Sequence, residues 1–209
     1  NRNYRHWFVV QGLMSMPTAI LASLIMTYLQ KVLMVTGVEF MMVGGLMLLA
    51  TMLLFPVWAM ISRRVGKKLP ISASLTILIF SLPLTMIIGQ PFLGFLPGIF
   101  QAVLFIALIG IGISGWYLLP NPVTADMAQE DEVLGGEARA GSYTGLISIP
   151  LNVLQALARF IAGFIADLPM VPGQTYSMGL LVWGPVSSVL LIPCLLVLVK
   201  YVETDPLRK

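Results

Sequence analysis

Arg159 is the one full charge deep inside an otherwise apolar run, and Asn152 and Gln155 lie close to it in sequence. Asn152 and Arg159 are seven residues apart, about two helical turns, so Asn152, Gln155 and Arg159 form a polar stripe on one side of a helix. An ionisable group so placed is costly enough to read as functional by default. Its chemistry is electrostatic: it binds an anionic group or pairs with an acid from a neighbouring helix. A blander reading has it snorkel outward or pair with Asp167 two turns later. Nothing catalytic accompanies it. The single histidine, His6, sits near the chain start and the single cysteine, Cys194, in an apolar run. His-based triads, cysteine metal cages and an intrachain disulfide are therefore disfavoured. Asp131 and Glu132 lack the spacing for a metal site or glycosidase chemistry, and the thirteen methionines read as packing or lipid-facing groups. With no nucleophile, acid–base pair or metal cluster within an apolar run, an intramembrane enzyme is disfavoured.

The elements that position Arg159 are membrane spans. Of the 209 residues 58% are hydrophobic and 10% charged, with a mean hydropathy of +0.93, whereas soluble domains carry about 25% charged residues. About 20 apolar residues cross the hydrocarbon core, and six runs reach that length, at about 7–29, 40–61, 71–89, 98–119, 143–166 and 178–199. Prolines fall inside them (Pro17, Pro56, Pro83, Pro150, Pro185, Pro193), which predicts kinked helices whose neighbours satisfy the freed carbonyls. Gly110, Gly112 and Gly115, and the pair Gly141 and Gly145, predict close helix approach.

Five of the nine acids (Asp126, Glu130, Asp131, Glu132, Glu137) fall between the fourth and fifth runs, which reads as a solvated, glycine-punctuated loop. With the N-terminus cytoplasmic, that side carries Arg2, Arg5, Arg63, Arg64, Lys67, Lys68, Arg139, Lys200, Arg208 and Lys209, against Lys31 opposite. The positive-inside rule then places both ends, and the acidic loop, in the cytoplasm. An opening Asn1 in place of Met predicts that a longer protein precedes it.

Between the second and third runs the chain reads Ser62-Arg63-Arg64-Val65-Gly66-Lys67-Lys68. This resembles the basic cytoplasmic turn of the major facilitator superfamily, with Ser62 where an Asp is usual. Ala125-Asp126, the acidic run to Glu132, Gly136, Arg139, Gly141, Tyr143 and Gly145 resemble the signature of the glycoside-pentoside-hexuronide:cation symporters, the melibiose permease-like family. The resemblance covers the whole chain. It implies an all-α integral membrane protein whose six helices form one bundle equivalent to helices seven to twelve, with the N-terminal bundle missing.

It further implies a cytoplasmic gate of Arg63, Arg64, Gly66, Lys67, Lys68, Asp126, Asp131, Glu132 and Arg139. Tyr117 would lie beside a sugar, and Ser148 on the cavity-lining face of its helix. Gln129, Ala140 and Asn152 depart from the family's usual acid, acid and lysine. The expected pathway residues are therefore Tyr117, Ser148, Asn152, Gln155 and Arg159, with Gln101, Ser114, Thr18, Ser23, Thr27 and Tyr28 as further hydrogen-bonding candidates. The expected activity is secondary transport of a sugar, glycoside or related polar solute by alternating access. It uses no resident cofactor and takes Na+ or H+ as the coupling ion. Expected partners are the solute, the cation, membrane lipids, and the missing bundle or a second copy, with no nucleic acid; the expected location is the plasma membrane. A transporter of amphiphiles such as lysolipids and a non-transporting scaffold subunit are the alternatives, and a scaffold has no reason to keep Arg159 in lipid.

Overall fold

The computed structural model describes residues 2–90, 93–135 and 140–206. It contains helices α1 (Arg2–Lys31), α2 (Gly37–Val65), α3 (Lys68–Ser81), α4 (Gly98–Leu118), α5 (Pro120–Gly135), α6 (Ala140–Ala166) and α7 (Gly179–Tyr201), with a 3-10 turn at Leu82–Met86. Six segments are long and apolar enough to cross a membrane, α4 and α5 counting together as one of 36 residues from Gly98 to Val133. The chain is an all-α, multi-pass membrane protein.

Two expectations are corrected. The stretch read as an acidic loop is helical: α5 covers Pro120–Gly135 and carries Asp126, Glu130, Asp131 and Glu132. Pro120 and Pro122 open this helix because proline's fixed φ suits a first turn, where its missing N–H would have had no partner anyway. The third span does not run as one α-helix to residue 89. It tightens to 3-10 geometry at Leu82, where Pro83 removes a ladder donor, and the chain turns away at Gly89, whose φ is +82°. Helices α1, α2, α6 and α7 continue through their own prolines.

Helix α1 packs against α6 and α7, α2 against α4, and α3 against α4 and α7. Close approach is permitted where expected at two positions: a Cβ on Gly112 would press into Leu78, and one on Gly115 into Ser74, so α3 and α4 nearly touch backbone to backbone. A Cβ on Gly110 would only reach Ala50 at 4.0 Å, ordinary contact with α2. Gly141 and Gly145 face open space and are not packing glycines within this bundle. An aromatic cluster of Tyr28, Phe105 and Trp183 joins α1, α4 and α7, with ring centroids 5.6 to 6.5 Å apart. Helix α2 buries only Val43 and Trp58; its remaining apolar side chains, Met41, Met42 and Met52 among them, are exposed or partly so.

The ends of the first and last helices meet. Asn3 donates from Nδ2 to the Glu203 carbonyl at 2.7 Å and accepts from the Glu203 N–H at 2.8 Å. The segment beyond α7 then crosses to the α2–α3 turn, burying Val202, Thr204 and Pro206. Asp205 there accepts from the Lys67 backbone N–H at 2.8 Å, supplying the start of α3 with a carboxylate.

Candidate solute cavity and ion pair

Three helix faces surround a cavity of about 260 Å³. Helix α1 contributes Gln11, Ser15 and Thr18; the α4–α5 junction contributes Trp116, Tyr117, Asn121 and Thr124; and α6 contributes Thr144, Ile147, Leu151 and Gln155. On α1 the polar residues recur at i, i+4 and i+7 and so share one side of the helix; Tyr117 at the end of α4 keeps the same spacing to Asn121 and Thr124 of α5 across the junction. Gly12 lets α1 settle against Pro150 and Leu154 of α6 beside this site; a Cβ there would meet Leu154 Cδ1 at 2.9 Å.

The wall is held by a hydrogen-bond relay. Trp7 Nε1 donates to Thr124 Oγ1 at 2.9 Å, and Thr124 donates in turn to the Pro120 carbonyl at 3.0 Å. Trp7 and Trp116 lie with ring centroids 6.2 Å apart. Near the chain start, the Tyr4 hydroxyl donates to the Tyr143 carbonyl at 2.6 Å and fixes α1 against the opening turn of α6. Pro120 and Pro122 deprive the carbonyls of Trp116 and Leu118 of their usual i+4 donors, leaving extra acceptors at the junction. None of the lining residues is ionisable near neutral pH, so the cavity offers neutral donors and acceptors flanked by aromatic rings.

Two residues beyond Thr124, Asp126 pairs with Lys67 Nζ of the α2–α3 turn, the one ion pair among the described residues. Both side chains are largely shielded, 19% and 26% exposed. Gly66 makes the turn possible, with φ +85° and its N–H bonded back to Ser62 at 3.0 Å. Lys67 thus gives its ammonium to α5 and its backbone N–H to Asp205.

Of the other expected gate residues, Arg63 and Arg64 are exposed at the end of α2, Lys68 begins α3, and Asp131 and Glu132 lie farther along α5. Arg139 lies outside the described residues. Of the expected pathway residues, Tyr117 and Gln155 reach the cavity. Ser148, Asn152 and Arg159 lie on an exposed flank of α6 outside it, and Ser148 donates to the Gly145 carbonyl of its own helix at 2.6 Å. Arg159 forms no ion pair with Asp167.

Among the further candidates, Thr18 lines the cavity and the rest are absent from its wall. Gln101 braces the segment before α4, Ser114 accepts from Trp58, Ser23 bonds back to Ala19, and Tyr28 donates to Thr85 and Ile88 carbonyls. Gln11, Ser15, Asn121, Thr124 and Thr144 were not foreseen. The signal for the first two was their spacing with Thr18.

A polar, uncharged cavity between membrane-crossing helices, with a shielded ion pair two residues beyond Thr124 of its wall, is a layout suited to a solute-transporting helix bundle. The profile of the family described as MFS/sugar transport protein matches residues 1–202, and the chain belongs to that family, within the major facilitator superfamily. Its members are secondary transporters. Comparisons with curated proteins and with solved structures gave no match.

Proposed function

We propose that this chain is one six-helix bundle of a melibiose permease-like symporter, corresponding to helices seven to twelve, that moves an uncharged polyhydroxylated solute with Na+ or H+ by alternating access. The observation that carries the reading is the cavity wall. Amides and hydroxyls of Gln11, Ser15, Asn121, Thr124 and Gln155 match the mixed donor and acceptor pattern of a sugar, and Trp116 and Tyr117 offer faces for its C–H surfaces. A sugar needs no counter-charge, and no lining residue supplies one.

The coupling ion needs oxygens or a carboxylate whose occupancy differs between the two access states. The cavity wall holds no carboxylate, so a second bundle completes the ion site. The exposed flank of α6 bearing Ser148, Asn152 and Arg159 faces that bundle in this reading, which keeps the Arg159 charge out of lipid. The Lys67–Asp126 pair then serves as the cytoplasmic gate, with both chain ends on that side of the plasma membrane.

The test is uptake of labelled mono- and disaccharides, a hexuronide and a lysophospholipid by cells carrying the full-length protein, under imposed Na+ or H+ gradients. Gradient-dependent saccharide accumulation that falls in Gln155→Ala supports the reading. Lysophospholipid movement without saccharide uptake transfers it to an amphiphile transporter. No uptake of any of them at normal surface abundance favours a scaffold.

A further inference from the structure

Three cations converge where the ends of α1, α3 and α7 meet. Two adjoining clefts of about 300 and 430 Å³ share walls made by Lys200, Tyr201 and Glu203; Arg2 and His6 complete one, and Lys68 the other. Arg2, Lys68 and Lys200 form no ion pair among the described residues. Two carboxylates are near. Asp205 is taken up by the Lys67 N–H and the Thr204 hydroxyl, and Glu203 is the second. The walls therefore carry three cations against two carboxylates, one of them already engaged. Lys200 Nζ sits 5.3 Å from the Tyr201 ring centroid, and the His6 ring lies tilted against it with centroids 5.2 Å apart, so Tyr201 borders both clefts.

A second feature runs directly into this place. Val189, Ile192, Leu196 and Val199 of α7 are 63%, 44%, 63% and 51% exposed. Their spacing of three, four and three residues puts them on one side of the helix, so they form a continuous exposed apolar track. It ends beside Lys200 and Tyr201, where the apolar span stops. A cationic cleft at the top of a lipid-facing apolar track, bordered by an exposed tyrosine, has the layout of a headgroup site with its acyl chains laid along the helix.

We infer that these clefts bind the phosphate of an anionic glycerophospholipid, such as phosphatidylglycerol, from the leaflet that meets the ends of α1 and α7. A freely diffusing phosphate would use the cations but not the track. The lipid uses both. The inference does not depend on which solute is transported.

The experiment is native mass spectrometry of the full-length protein released from mixed micelles of phosphatidylglycerol and phosphatidylcholine. The wild type is expected to retain phosphatidylglycerol preferentially. Arg2→Gln and Lys200→Gln should each lower that retention about fivefold, with Lys200→Arg keeping it. Arg5→Gln, an exposed cation one turn away that lines neither cleft, should leave retention unchanged. Equal retention of the two lipids overturns the inference, as does loss in Arg5→Gln equal to that in Lys200→Gln, which marks diffuse surface charge. Displacement of the lipid by soluble glycerol phosphate at matched concentration also overturns it in favour of a free-phosphate site. If Lys200→Gln fails to fold, the Arg2→Gln and Lys200→Arg comparison decides alone.

Discussion

The hydroxyl of Ser188 donates to the carbonyl of Ile79 at 2.6 Å, and that carbonyl is the one that Pro83 strands. In an uninterrupted α-helix the N–H of residue 83 would have bonded to it. The favour is returned from the other side. Pro185 strands the carbonyl of Leu181, and Thr85, two residues past Pro83, donates to it at 2.7 Å. Two prolines on two packed helices are thus each repaired by a hydroxyl of the other, in a region where water is not there to help.

Adjacent serines give this arrangement its sharpest test. Ser187 is fully buried and its hydroxyl has no partner among the described residues, whereas Ser188 is bonded. Ser188→Ala should cost about 1–2 kcal/mol by leaving a carbonyl unsatisfied. Ser187→Ala should be neutral or stabilising. Thermal unfolding of the two variants in detergent checks the difference, and equal effects would refute the repair.

The Lys67–Asp126 pair is mostly shielded from solvent, so its loss should exceed that of a surface pair and fall short of a fully buried one, about 1–3 kcal/mol. Asp126→Asn and Lys67→Gln should each lower stability and shift the balance of access states. The exchange of Lys67→Asp with Asp126→Lys should recover part of both losses. Accessibility of engineered cysteines to a membrane-impermeant reagent reads the access state, and no recovery in the exchange would mean that the two charges act separately.

Gly115→Ala would drive its new methyl into the Ser74 hydroxyl, with Trp58 Cε2 only 3.1 Å from it. Overpacking of this kind costs about 1–3 kcal/mol. Adding Ser74→Ala removes the nearest atom and should restore part of the loss, measurable as a partial return of the unfolding midpoint.

Asn121→Ala and Gln155→Ala remove hydrogen-bonding groups from the cavity wall without touching the ion pair. Each should raise the KM for the transported solute about three- to tenfold, while Ser148→Ala, outside the cavity, leaves KM unchanged. Concentration-dependent uptake separates these results, and a KM effect confined to Ser148 would relocate the site.

Arg159 tests the exposed flank of α6. Arg159→Ala should abolish or sharply reduce transport while preserving membrane insertion, because removing a charge from a span does not weaken insertion. Full activity in that variant would leave Arg159 as a bystander.

The spans were legible because an apolar run of membrane length has little to be except a helix in lipid, and six helical segments of that length are present. The basic turn was legible in part: Gly66 takes the positive φ that a tight turn there asks for. Its pairing was not, because Lys67 meets its acid, Asp126, 59 residues away in sequence. What misled was Pro120-Asn121-Pro122 followed by acids, which reads as a break when proline's place in a first turn is overlooked. That reading hid Asn121 and Thr124, whose register with Tyr117 exists only on a helix. The roles of Gln101, Ser114 and Tyr28 were hidden for another reason. Tyr28 and Ser114 meet partners 56 to 60 residues away, and Gln101 meets an N–H and two carbonyls of the segment 5 to 12 residues before it, where the chain folds back on the start of α4; spacing within a helix carries no trace of either.

Gly141, Gly145 and Gly163 lie open along α6, where a Cβ would meet nothing within 4 Å. Most helix surfaces interlock as ridges and grooves, so a neighbour that slides must climb over each side chain. On this flank the three glycines leave gaps beside the exposed ridges of Val153, Phe160 and Phe164. A helix laid across such a gap can bring its own backbone close to that of α6. Bulk restored at Gly145 or Gly163 would close the gap and hold that helix off.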